Sequence, residues 1–272
     1  MPGVSEACRV FQRLHESGCF VIPNPWDLGS ARLLVSLGFQ ALATTSAGFA
    51  WTQGVPDHRL TLEQALDHLR VMARGIGVPV NADFEGGFAV EPESVGRHVA
   101  AAVETGIAGL SIEDSTHDAA RPLFEFPLAV ERIRAARRAI DASGTGVLLT
   151  GRSEGFIAGR PDLAETLRRL VAYAEAGADC LYAPGIKSRD EIAAVVRAVA
   201  PKSVNVLAAG DYTAVADLAA LGVRRISVGG ALARAAWTGF FEAAREIAER
   251  GTFKALARAV PYSEINGPLG KD

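Results

Sequence analysis

Leu37-Gly38-Phe39-Gln40-Ala41-Leu42, Thr105-Gly106-Ile107-Ala108-Gly109-Leu110, Ala176-Gly177-Ala178-Asp179-Cys180-Leu181 and Leu221-Gly222-Val223-Arg224-Arg225-Ile226 repeat one device. A helical stretch ends, a glycine follows, and a short apolar run begins within a few residues. Glycine just past a helix takes the left-handed conformation at no steric cost. A short apolar run bounded by such turns reads as a buried parallel strand, and strands alternating with helices read as βαβ units.

Working outward from these four places gives eight strands, near 18–23, 40–45, 78–83, 108–113, 147–152, 179–183, 204–208 and 224–228. Helices are expected between them, near 28–37, 61–75, 92–105, 127–141, 162–176, 188–200, 213–220 and 230–250, with an extra one near 5–16. Asp27, Thr61, Ser188 and Thr213 suit N-caps, and Pro92 and Pro127 suit a first helical turn. Eight βα units in about 250 residues favour a single closed (β/α)8 TIM barrel over an open doubly wound sheet. Residues 1–250 are assigned to the barrel and 251–272 to a C-terminal helical tail, either solvent-exposed or an arm on a neighbouring subunit.

The 272 residues, 49% of them hydrophobic, suffice for one large core, and the net charge of −3 offers no basic surface for nucleic acid. No uncharged apolar run is long enough to span a membrane, and Met1–Ser17 lacks the apolar run of a signal peptide. The three cysteines, Cys8, Cys19 and Cys180, are too few and too widely spaced for a disulfide framework or a zinc site, which suits a reducing cytoplasm.

In such barrels chemistry sits at the C-terminal ends of the strands. There the sequence places Thr44-Thr45-Ser46-Ala47-Gly48, Asn81-Ala82-Asp83-Phe84-Glu85, Ser111-Ile112-Glu113-Asp114 and Gly151-Arg152-Ser153-Glu154. Asp83 and Glu113, with Asp57 or Glu85, would converge as carboxylates whose repulsion a cation relieves; hard oxygen ligands describe a Mg2+ (or Mn2+) site. Ion pairing of these acids with Arg152 is the competing reading. Arg152 itself suits a substrate carboxylate. Ser46-Ala47-Gly48 reads as a small-residue turn whose N–H groups and hydroxyl hold a carboxylate or oxo group.

Thr44-Thr45-Ser46-Ala47-Gly48-Phe49-Ala50, Gly54-Val55-Pro56-Asp57, Asn81-Ala82-Asp83, Ser111-Ile112-Glu113-Asp114 and Gly151-Arg152, preceded by Asn24-Pro25-Trp26-Asp27, stand in the order seen in the isocitrate lyase / phosphoenolpyruvate mutase superfamily. The chain resembles that family from about 18 to 245. The resemblance implies a barrel with Mg2+ at its mouth that breaks or rearranges a bond beside the carbonyl of a small 2-oxo acid or dicarboxylate, through an enolate. It implies that Ser46, Ala47 and Gly48 hold substrate, that Asp57, Asp83 and Glu113 surround the metal, and that Arg152 binds the substrate carboxylate. It also implies exchange of the eighth helix between subunits in a homodimer or a homotetramer built as a dimer of dimers.

Two departures shape the expectation. The family often has Asp-Ala-Asp where this chain has Asn81-Ala82-Asp83, so Asp83 is left to carry the metal, with Glu85 as the replacement acid. The isocitrate and methylisocitrate lyases carry a Lys-Cys-Gly-His stretch; here the loop is Asp114-Ser115-Thr116-His117-Asp118, without a cysteine. What remains is a decarboxylase or carbon–carbon lyase for an oxaloacetate-like acid. His117 is then a proton donor alongside Glu113 and Arg152 as catalytic residues, and Tyr182 and Asn205 line the pocket. The alternatives are phosphonopyruvate hydrolase or mutase chemistry, a 2-oxo acid binding protein with little turnover, and a Schiff-base aldolase. The last would use Lys187, which alone of the four lysines falls near the mouth.

Overall fold

Eight apolar runs become eight strands: β1 (Phe20–Ile22), β2 (Leu42–Ala43), β3 (Val80–Asp83), β4 (Gly109–Glu113), β5 (Leu148–Arg152), β6 (Cys180–Tyr182), β7 (Ser203–Leu207) and β8 (Arg225–Ser227). The structure is a computed structural model and describes residues 5–270; the outermost residues of the expected barrel segment and tail, 1–4 and 271–272, lie outside the described residues. The strands form one sheet in the order β1-β8-β7-β6-β5-β4-β3-β2, and every ladder is parallel. At the remaining seam Ala43 N–H donates to the Pro23 carbonyl at 3.1 Å, so the sheet curls into a nearly closed barrel. The (β/α)8 expectation is met.

Around it run α1 (Glu6–Glu16), α2 (Leu28–Ser36), α3 (Ser46–Thr52), α4 (Leu62–Gly75), α5 (Pro92–Val103), α6 (Phe126–Ser143), α7 (Leu163–Glu175), α8 (Arg189–Val199), α9 (Val215–Ala220), α10 (Ala231–Arg250) and α11 (Tyr262–Leu269), with a 3-10 turn at Lys254–Arg258. The glycines of the repeat, Gly38, Gly106, Gly177 and Gly222, all have φ between 87° and 104°, a region closed to most L side chains. Asp27 and Thr61 cap α2 and α4 by accepting from Ser30 N and Gln64 N. Ser188 precedes α8 without a side-chain cap bond. Thr213 does not cap α9. That helix starts after Ala214, whose N–H donates to Asp217 at 3.2 Å, so the carboxylate one turn in supplies the acceptor.

The extra helix α1 plugs the N-terminal end of the barrel. Phe11 is fully buried beneath β4, where a Cβ on Gly109 would come within 2.6 Å of its ring and 2.7 Å of Asn81 Oδ1. The closed floor leaves the opposite end as the open one.

At the C-terminus, α10 buries only Ala233 of its own residues, while Phe240 and Phe241 are 57% and 49% exposed beside Trp237. Glu246 turns the chain back by accepting from Thr252 Oγ1, Lys254 N and Ala255 N, and α11 lies against α2. No helix among the described residues is long and apolar enough to cross a membrane.

Candidate active site at the barrel mouth

The strand-end register brings β3, β4 and β5 together: Asp83 pairs with Ser111 and Glu113 with Arg152 across adjacent ladders. Arg152 thereby stands among three carboxylates. Its Nη1 lies 3.0 Å from Asp83 and 3.3 Å from Glu113, and its Nε donates to Glu154. Nη2 has no partner among the described residues, and Arg152 lines a cavity of about 380 Å3 at the mouth. Asp83, Glu113, Asp57, His58, His117 and Glu154 line the same cavity. The acids are thus gathered at one cavity, and Asp83, Glu113 and Glu154 are ion-paired with Arg152 there.

Ser46 was expected in a turn. It is instead the first residue of α3, whose N-cap is Thr45, accepting from Gly48 N at 3.3 Å. Its N–H and hydroxyl do grip a carboxylate, that of Asp83, each at 3.0 Å from Oδ2. Ala47 lines the cavity, but Gly48 does not. A Cβ on Gly48 would meet Thr45 Cγ2 at 2.7 Å and Trp26 Cβ at 2.8 Å, so its smallness serves close packing of α3.

Both oxygens of Asp83 are occupied, Oδ1 by Arg152 and Oδ2 by Ser46. The unpartnered acceptors lie elsewhere. Glu85 Oε1 and Glu113 Oε1 are buried without a hydrogen-bond partner, although Glu113 is only 3% exposed. Buried carboxylate oxygens left in this state are costly unless a cation or a water takes them.

His58 went unremarked in the sequence, because its setting is assembled by tertiary contacts. Its ring stacks on His117 with centroids 3.7 Å apart, and its nitrogens lie 3.4 Å from Asp57 and 3.6 Å from Glu85. The other nearby signal was backbone conformation. His58, Glu85 and His117 are three of the four non-glycine residues with positive φ among the described residues. Such conformations cost of order 1–3 kcal/mol each and persist where surrounding structure enforces them.

The electrostatics follow from crowding. The hydrogen bond to Glu85 pushes His58 up to about 9, with Asp57 and Glu113 adding to it against burial. Burial raises Asp57 and Glu85, and the neighbouring acids Asp83 and Glu113 add to the rise. Burial also opposes charge on Glu113, but Arg152 and His117 outweigh it and its pKa is lowered. Glu154 is pushed up to about 8 by burial, against the pull of Arg152. Asp57, Asp83 and Glu113 line the cavity and Glu85 faces His58 behind it, a set of hard oxygen donors that could hold a divalent cation.

The floor beneath is polar and carries the buried guanidinium of Arg225. Asn205 lines the cavity but is engaged on both ends, accepting from Arg225 Nε and donating to Ser227 Oγ, each at 2.9 Å. Asn81 Oδ1 lies 3.5 Å from Arg225 Nη1, so the residue that departs from the family pattern faces this buried arginine. Tyr182 also lines the cavity, with Arg152 over its ring at 5.3 Å. Asp114 is structural: it accepts from Tyr173, Arg169 and Glu154 N, which holds the β5 loop in place. Lys187 is exposed beside Tyr212, and no lysine lines the cavity among the described residues.

The phosphoenolpyruvate phosphomutase family model matches residues 11–248. Among curated proteins, an oxaloacetate decarboxylase of Bradyrhizobium diazoefficiens is 32% identical over 212 residues, covering 72% of this chain and 71% of its own. Among solved structures, a Burkholderia cenocepacia protein provisionally named lyase/mutase superposes with a TM-score of 0.94 at 48% identity, covering 97% of this chain and 96% of its own. A phosphonopyruvate hydrolase in complex with oxalate and Mg2+ superposes with a TM-score of 0.85 at 26% identity, over 98% and 95% of the two chains. With the barrel, the strand-end carboxylates and the family match in agreement, the chain belongs to the phosphoenolpyruvate phosphomutase family of the phosphoenolpyruvate mutase / isocitrate lyase superfamily.

Proposed function

We propose that this protein is a divalent-metal-dependent carbon–carbon lyase of the decarboxylase type, acting on a small 2-oxo dicarboxylate such as oxaloacetate through an enolate. One observation carries the reading. Glu113, buried with one oxygen lacking a hydrogen-bond partner, stands 3.3 Å from Arg152 at a cavity sized for a small ligand. The likeness to an oxaloacetate decarboxylase supports the substrate class.

The acids fit a cation: Asp57, Asp83, Glu85 and Glu113 would hold it, directly or through water. A bound divalent ion supplies the positive charge that a 2-oxo acid needs as its enolate develops. The remaining work falls to the chain. Arg152 Nη2 orients a substrate carboxylate, while Asp83, Glu113 and Glu154 fix the guanidinium plane. Ser46 holds Asp83 in place. Two groups at the cavity can return a proton to the enolate. Glu154, pushed up to about 8, carries one at neutral pH, and His117 stands at the rim with Nε2 3.3 Å from Glu113.

The test is a panel of 2-oxo and 2-hydroxy acids assayed with and without Mg2+ and Mn2+, with Asp83→Ala as control. Metal-dependent release of pyruvate and carbon dioxide from oxaloacetate is expected, and its absence across the panel overturns the reading. The likeness to a phosphonopyruvate hydrolase supports a second reading, cleavage of a P–C bond, which phosphorus NMR on phosphonopyruvate would detect. The exposed apolar face of α10 supports assembly with further copies of this chain as a homodimer or homotetramer, to be measured by light scattering after size exclusion.

A further inference from the structure

Arg225, on β8, is 3% exposed and lines the floor of the mouth cavity. Every group it bonds is uncharged. Its Nε donates to Asn205 Oδ1 and its Nη2 to Thr150 Oγ1, each at 2.9 Å. Its Nη1 lies 3.4 Å from His15 Nε2 and 3.5 Å from Asn81 Oδ1. Burial, with the Arg225 charge adding to it, lowers His15 to about 3 and so keeps that ring neutral. No carboxylate among the described residues lies within 4.0 Å of Arg225. The other guanidinium of this cavity, Arg152, stands against three acids. Arg132 is also buried without an acid, but it donates to the carbonyls of Gly86, Ala89 and Val90 and lies outside the cavity. A buried charge without a counter-charge is costly, and at this floor the counter-charge that can enter is an anionic ligand.

The direction of the hydrogen bonds points the same way. A guanidinium only donates, so Asn205 turns Oδ1 to Arg225 and Nδ2 to Ser227 Oγ, at 2.9 Å. Ser227 then has its own proton to give, and it bonds the Tyr182 phenol, which burial raises to about 12 and so keeps protonated. Asn205, Ser227 and Tyr182 all line the cavity. The floor thus ends in donors, set in order by one fixed positive charge.

We infer that Arg225 determines specificity by charge, making the cavity select a ligand with two negative charges over one of the same shape with a single charge. The inference rests on the proposed reading of the mouth as a site for a 2-oxo dicarboxylate. Oxaloacetate enters with two carboxylates. Loss of one as neutral carbon dioxide leaves the electron pair of the broken bond on the enolate of pyruvate, which again carries two charges. Uptake of one proton at carbon gives pyruvate, with one. Arg225 therefore favours substrate and enolate alike and releases the protonated product. Arg152 grips a carboxylate, whereas Arg225 acts through the floor, as a positioning residue.

Oxalate and oxamate share a shape and differ by one charge. Both are titrated by calorimetry, in Mg2+, into the full chain as wild type, Arg225→Gln, Arg225→Lys and Asn81→Asp. The last variant sets a carboxylate beside the guanidinium where it stands, and it serves if Arg225→Gln does not fold. The wild type is expected to bind oxalate at least about a hundredfold more tightly than oxamate. Arg225→Gln and Asn81→Asp should each lower that ratio by about tenfold or more, while Arg225→Lys keeps it within about threefold. A purely structural role would weaken both ligands alike. A wild type that holds oxamate as tightly as oxalate, or a ratio unchanged in both charge-removing variants, overturns the inference. Binding of neither ligand to the wild type would sink the reading of the mouth together with it. Oxalate selectivity that depends on Arg225, without turnover of oxaloacetate, would sink the proposed activity and leave the inference standing; turnover with an unchanged ratio would do the reverse.

Discussion

Ser46 donates twice to one oxygen of Asp83: its backbone N–H and its hydroxyl each lie 3.0 Å from Oδ2. The N-terminus of α3 thus holds a carboxylate of β3, and the other oxygen of that carboxylate holds Arg152. The favourable charge arrangement at a helix N-terminus and the hydroxyl act together. Ser46→Ala removes one donor and leaves the other. We expect a stability loss of about 1 kcal/mol by urea denaturation and a larger loss of turnover, since Asp83 and Arg152 are no longer fixed. A turnover number equal to wild type would show that Asp83 needs no such anchoring.

Arg152 is the one guanidinium that offsets Asp83, Glu113 and Glu154. Arg152→Gln keeps polarity but removes the charge. Removing one partner from a buried ion pair typically costs roughly 3–5 kcal/mol. The melting temperature should fall at neutral pH and partly recover on acidification, as the abandoned carboxylates take up protons. An unchanged melting temperature would mean that the acids are satisfied without it.

Gly48 packs where a side chain has no room. With Thr45 Cγ2 and Trp26 Cβ under 3 Å from an added Cβ, Gly48→Ala should destabilise by about 1–3 kcal/mol through displacement of α3. Circular dichroism melting checks this. Activity should fall with it, because Ser46 rides on the same helix.

Two histidines, His15 on α1 and His68 on α4, should weaken the fold in acid. Burial lowers His15 to about 3, with the Arg225 charge adding to it, and burial lowers His68 to about 4. Both are neutral in the folded protein and take up protons near 6.5 once unfolded. Below pH 6.5 the unfolded chain therefore binds more protons, and stability falls as pH drops towards the folded values. Each group contributes up to about 1.4 kcal/mol per pH unit in that window. Denaturation midpoints measured from pH 7 to 4 should shift accordingly, and His68→Gln should flatten the slope. An identical slope in that variant would dismiss its part.

Chelation should separate the metal and Schiff-base routes. EDTA is expected to abolish turnover and added divalent ion to restore it. Borohydride with pyruvate should label nothing, and Lys187→Ala should leave turnover within about twofold, since that side chain stands outside the cavity. Covalent labelling of Lys187 would reverse the assignment.

Much of this protein is written in local sequence. The glycines at 38, 106, 177 and 222 mark helix ends because only the left-handed region lets the chain turn there, and their spacing dictates eight βα units. The alternation of strand and helix in turn places Asp83, Glu113 and Arg152 at one rim, because residues at the C-terminal ends of parallel strands must share a side of the barrel. Local chemistry also makes Asp27 and Thr61 helix caps.

Other features depend on partners far along the chain. The sequence showed Ser46-Ala47-Gly48 as a turn, and only the packing of Gly48 on Trp26 and Ala233 reveals a helix start. Thr213 matched a capping pattern, but Asp217 reached the free N–H first. His58 stands next to Asp57 in the chain, but only the fold brings its ring onto His117 and one nitrogen to Glu85. Asp83 reads as a metal-shell acid in the sequence, and only the folded barrel shows that Ser46 and Arg152 each also hold one of its oxygens. Periodicity and turn chemistry act between neighbours, so the sequence by itself determined the barrel and the rim that carries its acids. Which of those acids are paired and which are left open depends on distances between strands and loops, and these exist only once the barrel has closed.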